Sequence, residues 1–253
     1  IKMKIEKLKE KLKNELKNVN HKIKKNNENT TKKEPIIIGI TGSRGKSSVC
    51  YMLHQYLKKM GYKSILYSSI EIDSDLSYVK KHCAVDNPLR SKKTLFSAVE
   101  QCINSNADFL ILEVNERAID LGIVDDVEFD LKLLTNIVGK QNEVFYPNYV
   151  NIKKSFLLKS GEKEKILLVV KDNHCNDLIN ELKSKNLKII TSPFLKKRYS
   201  IATSKDDYII NSIDNLFDSI NGVNFCVENN NKKEDFSSSL LFPYSVFNLV
   251  CVY

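Results

Sequence analysis

Ile36-Ile37-Ile38-Gly39-Ile40-Thr41-Gly42-Ser43-Arg44-Gly45-Lys46-Ser47-Ser48 is the stretch from which the rest of this chain can be understood. A β-branched run reads as a buried strand and passes into a glycine-rich turn. The turn opens into a helical pattern, with apolar or aromatic residues at Val49, Leu53, Tyr56, Leu57 and Met60, stopping at Gly61. A turn of this kind aims backbone N–H groups at a phosphate chain, and the helix end adds partial positive charge. In that setting Lys46 would sit on the terminal phosphates and the Ser47 hydroxyl would ligate Mg²⁺. The strict phosphate-loop spacing requires glycine where this chain has Ile40, so the pattern is G-x-x-G-x-x-G-K-S.

Outward from the loop, short apolar runs alternate with amphipathic stretches. Strands are expected at Ile36–Thr41, Ser64–Tyr67, Phe109–Val114, Phe129–Thr135, Ile166–Val170 and Leu187–Thr191. Helices are expected at Lys46–Met60, Thr94–Asn104, Tyr149–Leu158 and Asn176–Lys185. This β-α alternation predicts an α/β fold, a P-loop-type, mostly parallel sheet flanked by helices. After Pro193 the rhythm changes, and Tyr199–Thr203, Tyr208–Ile210, Val223–Val227 and Leu240–Phe242 predict a small antiparallel β segment near the C-terminus.

The chain of 253 residues carries a net charge of +9. Residues 1–34 hold 12 Lys against 5 Glu, and the rest is close to neutral, with 28 Lys and Arg against 26 Asp and Glu. The basic character therefore belongs to an N-terminal arm, and a nucleic-acid partner for the body is not expected. Residues 3–25 carry Ile5, Leu8, Leu12, Leu16, Val19 and Ile23 at steps of three and four, a narrow helical stripe followed by a polar linker. Charge runs of this sort are mostly solvated; peripheral membrane docking or helix pairing through residues 1–25 is the alternative. The expected division is thus 1–34, helix and linker, and 35–253, one nucleotide-binding domain. Six scattered cysteines without a CxxC pair fit reduced thiols and a cytoplasmic location, and no apolar run is long enough to cross a bilayer.

The loop resembles that of the Mur ligase superfamily, and its Arg-Gly-Lys-Ser form is most similar to the poly-γ-glutamate type. Further segments match in order. Phe109–Glu113 resembles the strand ending in the family's Mg²⁺-holding glutamate, and Phe129–Asn136 resembles the strand ending in Thr-Asn. Tyr149–Leu157 resembles the helix bearing a lysine, here Lys153, that is carbamylated in several members. Pro243–Asn248 resembles the segment whose asparagine contacts adenine. The resemblance implies a central ATP-binding domain of an amide ligase, activating a substrate carboxylate as an acyl phosphate for attack by an amino acid. It implies ATP and Mg²⁺ as cofactors and a small-molecule or peptide precursor as substrate. Lys46, Glu113 and Lys153 are the implied catalytic residues, and Ser47 and Glu113 the implied metal ligands. Gly42, Ser43, Arg44, Gly45, Lys46, Ser47, Ser48, Asn136 and Asn248 are the implied nucleotide contacts.

Some features depart from that pattern. Lys140-Gln141 stands where the family has Asp-His, which weakens the expectation of a second metal. Lys154 beside Lys153 leaves two candidates for one role, and Glu116 and Arg117 read as a solvated turn. The family's C-terminal domain is expected to be absent, so weak nucleotide binding and little ligation are expected of this chain alone. A nucleotide-binding scaffold without catalysis and an unrelated P-loop NTPase are the alternatives.

Overall fold

In the computed structural model the described residues are 34–74, 88–137, 146–161, 163–169, 173–182, 186–190, 208–219, 222–229, 232–239, 248–249 and 251–252. The chain divides into two units, Ile1–Glu34 and Pro35–Tyr253, and everything described below belongs to the second. The arm helix, the Lys140-Gln141 pair and the strands expected at Tyr199–Thr203 and Leu240–Phe242 lie outside the described residues.

The elements in chain order are β1 (Ile36–Thr41), α1 (Lys46–Lys59), β2 (Ser64–Tyr67), β3 (Ile72–Asp73), α2 (Lys92–Asn104), β4 (Phe109–Glu113), α3 (Glu116–Asp120), β5 (Leu131–Leu134), α4 (Tyr149–Leu158), β6 (Lys165–Val169), α5 (Asn173–Leu182), β7 (Asn186–Ile190), β8 (Tyr208–Ser219), β9 (Gly222–Asn229) and β10 (Lys232–Ser238). They form one sheet in the order β10-β9-β8-β7-β6-β5-β1-β4-β2-β3. The run from β8 through β2 is parallel, while β9, β10 and the short β3 pair antiparallel at the two edges. The α/β expectation with its antiparallel C-terminal segment is what the structure has. Two details differ. β8 extends to Ser219 rather than stopping at Ile210, and the polar stretch Lys232–Ser238 is a strand that the sequence reading left out. Lys233, Glu234, Asp235 and Ser237 of β10 are exposed, so this edge strand carries almost no hydrophobic signal.

Strand parity sorts the core into two layers. Leu110 and Leu112 of β4 face a cluster with Leu95, Ala98 and Cys102 of α2 and with Val150, Phe156 and Leu157 of α4. Ile111 faces the opposite cluster with Val49, Cys50 and Leu57 of α1 and with Cys251. Helices therefore cover both faces, and the centre of the sheet reads as a continuous apolar run. On the α4 side, a methyl on Gly39 would lie 2.6 Å from the Phe129 ring and 2.8 Å from Phe156. Gly39 is thus a packing residue in mid-strand, leaving room for an edge-to-face pair of rings 5.3 Å apart. Among the described residues no helix is long and apolar enough to cross a membrane.

Candidate active site

The site lies at the carboxyl ends of β1, β4 and β5, where open parallel sheets place their ligands. The β1–β4 register sets Ile40 beside Glu113, and the β1–β5 register sets Thr41 beside Leu134. Past Thr41 the backbone turns at Gly42, with φ +145°, and passes so close to the end of β5 that a Cβ there would meet Thr135 Oγ1 at 2.1 Å. Asn136 braces the loop from behind. Its Oδ1 accepts from Arg44 N–H at 3.1 Å, its Nδ2 donates to Arg44 C=O at 2.8 Å, and its own C=O accepts from Ser43 N–H at 2.9 Å. Thr135 Oγ1 donates to the same Arg44 carbonyl at 2.6 Å. Asn136 thus has both ends of its amide on loop backbone, while the Arg44 and Ser48 side chains point to solvent.

Gly45 takes φ +84° and caps α1 without a side-chain cap hydrogen bond. By contrast α2 is capped by Ser91 and α3 by Asn115. An uncapped helix start with no acidic residue in its first turn leaves amide groups and dipole for an anion. Lys46 is half-buried there. Asn248 sits against this corner, its Oδ1 2.6 Å from where a Gly45 methyl would be.

Three side chains converge beside the helix start. Ser47 Oγ donates to Glu113 Oε1 at 2.9 Å and lies 2.9 Å from Ser69 Oγ. Ser69 gives Glu113 Oε2 its N–H at 2.8 Å and its hydroxyl at 3.0 Å. Glu113 is only 4% exposed, so its charge is held by these donors. One carboxylate and two hydroxyls suit a hard cation that keeps waters and binds phosphate oxygens, as Mg²⁺ does. No cluster of three or more His, Cys, Asp or Glu side chains that could hold a metal occurs among the described residues.

Lys153 is the buried member of the Lys153-Lys154 pair. It is fully buried, donates to Thr41 Oγ1 at 3.1 Å and pairs with Glu116 Oε2 at 3.1 Å. Lys154 turns away to Glu181 at 3.3 Å. Burial, with the like charge of Lys46 second, pulls the Lys153 ammonium down to about 7, against the opposing pull of Glu116. Burial, the largest single influence, would raise the Glu116 carboxyl, but the charge of Lys153, the hydrogen bonds the carboxylate accepts and the charge of Lys46 together outweigh it, and the net displacement is downward. The reading of Glu116 as a solvated turn residue is therefore corrected: it opens α3, packs over the site and holds the buried lysine, while Arg117 is exposed. Tyr149, 4% exposed, donates to Ser43 Oγ at 3.1 Å and lies under Lys153 at 5.4 Å. Ser69, Glu116 and Tyr149 were absent from the sequence-derived site. Ser69 had a usable signal, since it follows β2, a parallel strand whose carboxyl end must open on the same crevice.

A sequence model of the Mur ligase middle domain matches residues 40–253. The chain belongs to the Mur ligase family. This sets aside the unrelated P-loop NTPase. Among relatives, the UDP-N-acetylmuramyl-tripeptide synthetase of Borrelia garinii subsp. bavariensis is 30% identical over 191 residues, covering 72% of this chain and 35% of the relative. The UDP-N-acetylmuramoyl-L-alanyl-D-glutamate–2,6-diaminopimelate ligase of Caldanaerobacter subterraneus subsp. tengcongensis is 26% identical over 230 residues, covering 90% and 43%. The chain thus spans well under half the length of these Mur ligases. A solved diaminopimelate ligase superposes with TM-score 0.67 at 16% identity, covering 87% of this chain and 42% of its own. The MurF ligase of Thermotoga maritima, solved in complex with ADP, superposes with TM-score 0.58 at 14% identity, covering 87% and 44%.

Proposed function

We propose that this Mur ligase middle domain binds ATP with Mg²⁺ and belongs to a cytoplasmic ligase of cell-wall peptide synthesis. The observation that carries the reading is the convergence of Ser47, Ser69 and Glu113 beside an uncapped, glycine-led helix start. Backbone N–H groups at the uncapped start of α1, residues 45–48, cradle the phosphates, and Lys46 neutralises charge on the outer ones. Ser47, Ser69 and Glu113 would hold Mg²⁺, which supplies charge neutralisation for phosphoryl transfer when bound. Asn136 and Thr135 keep the loop in its binding shape, and Asn248 closes the Gly45 corner where the nucleotide enters. The carboxylate of a precursor is activated as its acyl phosphate, and the amine of an amino acid displaces phosphate to form the amide. Following the names of its relatives, we propose a UDP-N-acetylmuramoyl-L-alanyl-D-glutamate-type acceptor for the whole protein.

Lys153 is the catalytic lysine of this reading. Losing its proton near neutral pH, its free amine can add CO₂ to form a carbamate and release a proton, and the resulting anion would orient the reacting groups. A ¹³C carbamate signal from labelled bicarbonate, lost in Lys153→Met, is the expected result; a spectrum identical in both proteins removes this role. The central experiment is calorimetric titration with ATP and Mg²⁺. Replacing Lys46 by Ala removes a charge-assisted contact and should weaken binding about 10-fold or more. Equal affinity in wild type and variant would refute the assignment.

A further inference from the structure

A buried polar cluster outside the nucleotide site connects α1 to the hairpin that bears Ser69. His54, fully buried in mid-helix, has Nδ1 3.0 Å from Ser64 Oγ and Nε2 3.0 Å from Asp73 Oδ2. Lys58, one turn on, donates to the same Asp73 oxygen at 3.0 Å. Ser64 begins β2 and Asp73 ends β3, so α1 holds both arms of one hairpin. The pairing Leu66 with Asp73 and Tyr67 with Ile72, closed by Ser68 N–H to Glu71 C=O at 3.0 Å, leaves Ser69 and Ile70 as a two-residue loop.

This hairpin is poorly specified by its own chemistry. β3 has two residues, which makes the ladder marginal. Neither loop residue has a positive φ, which excludes the type I′ and II′ turns that match strand twist. A slip of one residue in β3 would turn its side chains to the other face and force the loop that carries Ser69 to re-form, while β2 stays on β4. Something else must fix the register, and besides Ser69 itself, Asp73 is pinned from outside the hairpin, by His54 and Lys58.

We propose that His54 and Lys58 act as positioning residues: by clamping Asp73 they set the hairpin register that presents Ser69 to Glu113 and Ser47. The proposal rests on the functional reading above for its consequence, since the metal ligand set is completed by Ser69. One helix then carries Ser47 at its start and, through His54 and Lys58, governs Ser69 as well. The clamp is not itself a nucleophilic site, because Ser64, His54 and Asp73 are all closed to solvent.

The test combines amide exchange and titration on the full chain, with Asp73→Asn, with Lys58→Met as a milder variant that keeps the buried core, and with Ser69→Ala. In wild type the Ser69 amide, bonded to Glu113, is expected to be protected; both clamp variants should speed its exchange while β1 and β4 amides stay unchanged. Asp73→Asn should weaken the Mg²⁺-dependent part of ATP affinity about 10-fold, the scale for partners that orient metal ligands, and Lys58→Met should weaken it less. Affinity without Mg²⁺ should not change. Asp73→Asn added to Ser69→Ala should weaken it no further, because both act through one hydroxyl. Unchanged Ser69 exchange in Lys58→Met and, if it folds, Asp73→Asn would overturn the clamp, as would fully additive losses in the double variant. If wild type shows no Mg²⁺-dependent ATP binding while Ser69 exchange responds as expected, the clamp stands and the ligase reading falls.

Discussion

A methyl group on Gly42 would have to occupy space already held by the Thr135 hydroxyl, at a φ of +145° that L side chains rarely adopt. Gly42→Ala should therefore cost about 1–3 kcal/mol in unfolding free energy and abolish tight nucleotide binding, because the bond from Thr135 to Arg44 C=O must move. Urea unfolding and ATP titration together check it. Lys153 makes a second prediction at this scale, on pH. Its folded value of about 7 lies below the ordinary lysine value of about 10.4. Between those limits the folded chain has shed a proton that the unfolded chain keeps, so rising pH favours folding, and below about 7 the burial penalty is at its full size. The stability of wild type relative to Lys153→Met should rise from about pH 6.5 to about pH 9.5, read from urea midpoints. A constant difference would mean that the amine keeps its proton. At this scale Lys46, Ser47 and Glu113 were legible because motif and strand end mark them. The choice between Lys153 and Lys154 was not, since adjacent helix positions point apart only once the packed face is known.

At the scale of elements, β5 illustrates how a charge enters a central strand. Lys132 interrupts an apolar run, is almost completely buried, and pairs with Glu164 at 3.0 Å. Its ammonium lies over the Phe129 and Phe156 rings at 5.5 and 4.9 Å. Glu164 also accepts the N–H groups of Phe129 at 2.8 Å and Gly161 at 2.7 Å. The pair thus ties the start of β5 to the turn before β6, under the rings that Gly39 makes room for. Removing one partner strands a buried charge, so Glu164→Ala should destabilise by about 3–5 kcal/mol. Lys159→Ala, which breaks the exposed pair with Asp125, should stay within about 0.5 kcal/mol. Comparable losses in denaturant unfolding would contradict this ranking. No local pattern links Lys132 to Glu164; the strand was foreseeable from its apolar neighbours, whereas the partner was chosen by the loop that returns beside it.

For the Pro35–Tyr253 unit as a whole, the sheet has a well-buried centre and a polar edge. β1 and β4 carry buried residues on both faces, whereas most described β10 side chains face solvent. Amides of β10 are expected to exchange at least about 100-fold faster than those of β1 and β4 in native-state hydrogen exchange. Uniform protection across the sheet would show that the edge unfolds only with the core. The alternation of apolar runs and amphipathic stretches was enough to settle the α/β class, the loop and the order of most elements, because strand and helix periods and glycine turns are local properties of the chain. The contacts that make the site were decided elsewhere. Ser69 reaches Glu113 across 44 residues and Asn136 braces Arg44 across 92. Such pairs depend on which strands become neighbours and in what register, and that is fixed by packing two apolar faces at once. The reading of Glu116 as solvated failed for this reason: a carboxylate in a turn carries no mark of the buried lysine that a distant helix will bring to it.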